Sequence, residues 1–186
     1  MYDYNEHRGL KKCIGREAVN AHYIIVDDEY REIISSKDNC GCLAIGGDCV
    51  MMGYWNDPEL TAKTMRNGYF YTTDMGYIED GLVFLTGRKD DMIHIGGYKV
   101  APVEIEDAAM HCTGIEDCVC VAVDDPNSGQ APKLYIVLKE GFIFDRAGIS
   151  KELRSKLESH KIPKQIEAID EIPRSSVGKK LRRQLT

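Results

Sequence analysis

The sequence predicts an α+β chain: an antiparallel β piece first, then a smaller unit that mixes strands with helices. Three observations predict it. Short runs rich in β-branched and aromatic residues fill the first half, separated by Asn-Gly and Asp-Gly turn signals. Amphipathic helical spacing enters in the second half, where Ile105, Ala108, Ala109 and Cys112 fall at i, i+3, i+4 and i+7. Charge clusters at GRKDD, Gly87–Asp91, between two apolar runs, and sets a boundary that divides the chain into 1–90 and 91–186.

In order, AHYIIVD (21–27), GCLAIGG (41–47), GYFYTTD (68–74) and GLVFLTG (81–87) read as strands. A short helix is predicted at DPELTAKTM, with Asp57 as its cap and Pro58 in its first turn. MIHIGGYKV (92–100) predicts a hairpin around Gly96-Gly97, and Pro102 opens the next helix. CVCVAVD (118–124) and KLYIVLKE (133–140) follow as strands joined by a polar loop, DPNSGQAP. Ser150 is expected to cap a further helix carrying Leu153 and Leu157, and QIEAID (165–170) gives the last strand.

Composition bounds the function. At 186 residues with 43% hydrophobic and 29% charged content, the chain can bury a core as one large domain or two small ones. Thirty acids against 24 Lys and Arg argue against a general nucleic-acid binder. No run approaches the ~20 apolar residues of a membrane helix, and MYDYNEHRGLKK lacks the apolar stretch of a secretory signal. Seven cysteines, an odd number, fit a disulfide framework poorly. The C-x-C pairs Cys40/Cys42 and Cys118/Cys120 read as packed free thiols rather than a zinc site, so no metal site and a reducing, cytoplasmic setting are expected.

Four motifs carry chemistry. PRSSVGKKLRR (173–183) places five cations and no acid in one stretch. Gly178 can take positive φ and thrust out Lys179, whose ammonium suits a developing anion. A merely solvated basic segment, or a nucleic-acid patch, is the competing reading. Arg88 follows a strand directly and can grip a phosphate or ribose. Asp74 ends another strand, where one carboxylate can accept from both hydroxyls of a ribose, or simply form a turn. Gly96-Gly97 permits close approach to the backbone, or serves only the hairpin.

GGDCVMMGYWNDPELTAKTM, YTTD, GRKDDMIHIGGYKVAPVEIED and PRSSVGKKLRR stand in this order, and together the chain resembles the C-terminal part of the adenylate-forming enzymes, from about Ile14 to Gln184. Gly96-Gly97-Tyr98-Lys99-Val100-Ala101-Pro102 is most similar to the acyl-CoA ligase branch, with fatty acid metabolism as the expected setting. The resemblance implies that 1–90 is the terminal, barrel-like β subdomain of a large AMP-binding N-terminal domain and 91–186 is its C-terminal lid. It implies that Asp74 and Arg88 bind the nucleotide, Asp90 is the hinge and Lys179 is the catalytic cation of adenylation. Gly96, Gly97, Tyr98 and Lys99 would line the path of coenzyme A after the lid turns. Thr73, where the family usually has Gly, and Ser128, where many of its CoA ligases have Arg, depart from the pattern.

The implied cofactors are ATP or AMP and coenzyme A, with Mg2+ held outside this chain. The family's phosphate loop and adenine motif are not found in these residues, so the chain is expected to be inactive alone. The expected partners are the missing N-terminal domain, a carboxylic acid, coenzyme A and a second copy in a homodimer, with no nucleic acid. An adenylation domain that loads a carrier protein and a non-catalytic interaction module are the alternatives.

Overall fold

The computed structural model describes residue 10 and residues 12–186. The reading of the first residues as no secretory signal falls chiefly on 1–9 and 11 and lies outside the described residues. The chain divides into two compact units between Asp90 and Asp91.

The first unit contains β1 (Cys13–Gly15), β2 (His22–Val26), β3 (Gly41–Gly46), α1 (Pro58–Thr64), β4 (Met65–Arg66), β5 (Tyr69–Glu79) and β6 (Leu82–Arg88). All its ladders are antiparallel, in the order β1-β6-β5-β3-β2, with β4 beside β5. The path ends at β1 and β2 among the described residues. Asn67-Gly68 and Asp80-Gly81 turn the hairpins with positive φ at both residues, the geometry that matches strand twist. Asp57 caps α1 by accepting from the Leu60 amide at 2.9 Å. Ile25, Leu43 and Val83 centre a small core. Val19, Ile34, Met52 and Trp55 are almost fully exposed.

The second unit contains β7 (Ile93–Ile95), β8 (Tyr98–Val100), α2 (Pro102–Ala109), β9 (Ile115–Asp125), β10 (Gly129–Leu138), α3 (Arg146–Arg154) and β11 (Gln165–Ala168). β10 is the axis: β9 lies antiparallel along it, and β7 and β11 share its other edge, β11 in parallel. Alternation along CVCV explains the packing. Cys118 and Cys120 face a core that includes Ile105 and Ala109 of α2 and Ile149 and Leu153 of α3. Val119 and Val121 face the opposite way and are covered by Ile172 and Leu185, so the basic segment is strapped over the second face of the sheet.

Two expectations are corrected. Asp145, not Ser150, caps α3: its Oδ1 accepts from the Gly148 amide at 3.0 Å, while Ser150 lies inside the helix. The predicted polar loop Asp125–Pro132 is shorter, because Gly129–Pro132 already pair with Asp125–Ala122. Pro132 is tolerated there because its carbonyl accepts from the Lys164 amide at 3.0 Å. Its nitrogen therefore faces that same side and takes no place in the β9 ladder.

Glu106 locks the strap to the core. It is 6% exposed, receives Arg182 Nη2 on both carboxylate oxygens at 2.8 Å and accepts the Cys120 amide at 2.8 Å. Glu106→Ala strands a guanidinium and a strand amide together. Loss of one partner of a buried pair costs up to about 3–5 kcal/mol, and the partial exposure of Arg182 brings the expectation to about 2–3 kcal/mol. The urea midpoint of the chain checks this, and Glu106→Gln, which keeps an acceptor for Cys120, should lose less. An unchanged midpoint for the alanine variant would remove the lock.

Candidate nucleotide site and the lysine turn

β5 is irregular where YTTD lies. The register with β3 steps from Cys42↔Met75 to Ala44↔Tyr71, so Leu43 alone faces Thr72–Asp74. On the other side it steps from Met75↔Gly87 to Gly76↔Leu85. Such bulges re-aim side chains. Thr72 repairs the ladder: its hydroxyl donates to the Leu43 carbonyl at 2.8 Å and accepts from the Asp74 amide at 3.1 Å. Asp74 then pairs in register with Arg88, and the two side chains stand together at the strand ends, Nε to Oδ1 3.6 Å. Arg88 Nη2 donates to Thr73 Oγ1 at 2.8 Å. A half-exposed carboxylate beside a largely exposed guanidinium fits a ribose and a phosphate, one group for each.

Asp90 is exposed in a single 3-10 turn, Lys89–Asp91, at the boundary of the two units.

In the second unit, Gly96 and Gly97 have φ of +54° and +95°, and open space lies where a side chain would stand on either. The hairpin tip is braced by β10. The Gly96 amide donates to the Ser128 carbonyl at 2.9 Å, and the His94 amide donates to Gln130 Oε1 at 2.8 Å. Ser128, the departure from the family pattern, is thus a strut rather than a cation. Tyr98 is exposed and stacks on His160, ring centroids 4.5 Å apart. Lys99 pairs with His94 across the hairpin. A cleft of about 820 Å3 adjoins this tip, with Ile95, Ser128, Arg146, Arg154, His160 and Lys164 in its walls. Sequence reading missed Gln130, His160 and the cleft, since their residues come from separate segments with no shared local signal.

The basic segment is a narrow hairpin. Arg174 bridges Lys180, the Ser175 amide donates to the Lys179 carbonyl at 2.8 Å, and the Gly178 amide donates to the Ser175 carbonyl at 2.8 Å. Gly178 has φ of +80°, so the tip turns as the sequence predicts. Three of the neighbouring cations are committed. Arg174 and Lys180 both pair with Asp117, and Arg182 pairs with Glu106. Burial pushes the Asp117 carboxyl up, but hydrogen bonds from Lys180 and Arg174 outweigh it and hold it below the ordinary value. Lys179 is exposed, and its ammonium makes no hydrogen bond or ion pair among the described residues. The described residues contain no cluster of three or more His, Cys, Asp or Glu able to hold a metal ion, and no helix long and apolar enough to cross a membrane.

Comparison with known proteins gives these features a setting. The family model described as AMP-binding enzyme C-terminal domain matches residues 104–179. The long-chain-fatty-acid–CoA ligase of Salmonella typhimurium is 37% identical over 195 aligned positions, covering 95% of this chain and 34% of that protein. The ligase of the same name from Bacillus subtilis is 38% identical over 162 positions, covering 87% and 29%. ATP-bound MatB from Rhodopseudomonas palustris matches in structure with a TM-score of 0.86 at 27% identity, covering 94% of this chain and 35% of that one. The chain spans about a third of the length of the curated relatives it matches. Residues 104–179 carry the C-terminal domain of the AMP-binding, adenylate-forming enzymes.

Proposed function

We propose that the chain is the C-terminal part of an ATP-dependent acyl-CoA ligase. In the first half-reaction a carboxylate oxygen attacks the α-phosphorus of ATP and pyrophosphate leaves. In the second, the coenzyme A thiol attacks the acyl carbon and AMP leaves. The observation that carries this reading is the uncommitted ammonium of Lys179 at the tip of a glycine-turned hairpin on which Arg174, Lys180 and Arg182 are tied to carboxylates. A fixed turn with a free cation at its tip suits negative charge that grows only during reaction.

Asp74 accepts the ribose hydroxyls in this reading and Arg88 meets the phosphate. Asp90 lets the lid turn between half-reactions. The open side of Gly96-Gly97 and the exposed ring of Tyr98 then receive the pantetheine arm, with Lys99 beside them. The cations of the adjoining cleft, Arg146, Arg154 and Lys164, suit the phosphates at the other end of coenzyme A.

Mg2+ bound with the ATP would neutralise phosphate charge, and no residue of this chain is assigned to it. The relatives' names make a long-chain fatty acid the first carboxylate to try. The test is carboxylate-dependent pyrophosphate release. The 186-residue chain alone should give none, and the complete protein that carries it should give both pyrophosphate and a thioester. Release by the isolated chain, or no thioester from the complete protein across a panel of carboxylates, would refute the reading.

A further inference from the structure

Thr73 stands where the family pattern usually has glycine, and its hydroxyl accepts the one hydrogen bond that the Arg88 guanidinium donates among the described residues, 2.8 Å from Nη2. The Asp74 contact, at 3.6 Å from Nε, is an ion pair without hydrogen-bond distance. We propose that Thr73 is a positioning residue that latches Arg88 beside Asp74 and so pre-orders the nucleotide grip. The inference rests on the reading of Arg88 as a nucleotide contact.

The geometry carries it in three steps. The bulge opposite Leu43 displaces Thr72–Asp74 from a regular ladder, so an extra side chain can turn toward the β6 end. Thr72 uses its hydroxyl on the backbone, at Leu43 and Asp74, and leaves Thr73 to the guanidinium. Arg88 is 63% exposed, so without a latch it would spread over many rotamers and lose that freedom on binding. Held at Nη2 and Nε, it keeps its remaining donors for an anion. Glycine at this position could offer no such acceptor.

The experiment is steady-state adenylation by the complete protein that carries this chain, with ATP varied. Thr73→Val keeps the shape and removes the hydroxyl. It should raise KM for ATP about fivefold and leave kcat within about twofold, because the latch orders a ground-state contact. Thr73→Ser should restore KM to within about twofold of the parent. In an Arg88→Ala background, Thr73→Val should add nothing, since the latch has lost its object. An unchanged KM for Thr73→Val, a failure of Ser to rescue, or an undiminished effect in the Arg88→Ala background would overturn the latch alone. No effect of Arg88→Ala on KM would overturn the nucleotide reading of Arg88 and the latch with it. A matching thermal midpoint between Thr73→Val and parent ties any change to the guanidinium rather than to folding.

Discussion

Adenylation by the Lys179→Ala protein is expected to fall about 10²–10³-fold, while thioester formation from supplied acyl-adenylate stays within a few-fold of the parent. The two half-reactions differ in where charge develops. In the first, a negative carboxylate is brought against a negative α-phosphate and charge passes to the phosphate and departing pyrophosphate oxygens, so a nearby ammonium stabilises that state more than the separated reactants. In the second, the bond that breaks has already been made. Since the ammonium has no partner among the described residues and is exposed, its removal should leave folding unchanged. Lys180→Ala is the control: that residue pairs with Asp117 at 2.8 Å, so its loss should reduce stability. Pyrophosphate exchange and single-turnover thioester formation read the two steps separately, and equal losses in both would sink the role given to Lys179.

The second large effect is expected at Asp90. Its 3-10 turn is the short link at the unit boundary, and proline there fixes φ near −65°. Asp90→Pro should slow thioester formation about tenfold or more and leave adenylation within a few-fold, because in the proposed hinge only the passage between half-reactions needs the link to change its dihedrals. The measurement is the same pair of assays, with urea unfolding to show that the domain cores stay intact. Parent-like thioester rates would end the hinge assignment.

What the sequence reveals, and what it hides, divides by range. Gly178 before Lys179, Gly96-Gly97 and the Asp57-Pro58 cap are local signals: each depends on φ preferences of one or two residues, and each is found as read. Asp74 and Arg88 were legible separately as strand ends, but their adjacency depends on the register of β5 with β6. The bulge that turns Thr73 toward Arg88 depends on a register step between β3 and β5 that no local run of residues announces. The α3 cap was misread because Asp145 and Ser150 both qualify by residue type, and only the backbone decides which side chain reaches a free amide. The anchors of the basic segment, Asp117 and Glu106, lie 57 and 76 residues from their partners, beyond any pattern read along the chain.

The buried C-x-C pair has a practical consequence for testing the proposed motion of the second unit. Burial pushes the Cys118 thiol up to about 12, helped by the charge of Glu106, and raises Cys112 and Cys120 as well. The reactive thiolate of Cys118 is therefore scarce at neutral pH, and the core shields its sulfur further. Cys49, in the other unit, is exposed. A maleimide dye should therefore tag the first unit and leave the three native thiols of the second unit dark. One new surface cysteine on the second unit would complete a two-colour ruler across Asp90 without first stripping that core of its sulfur.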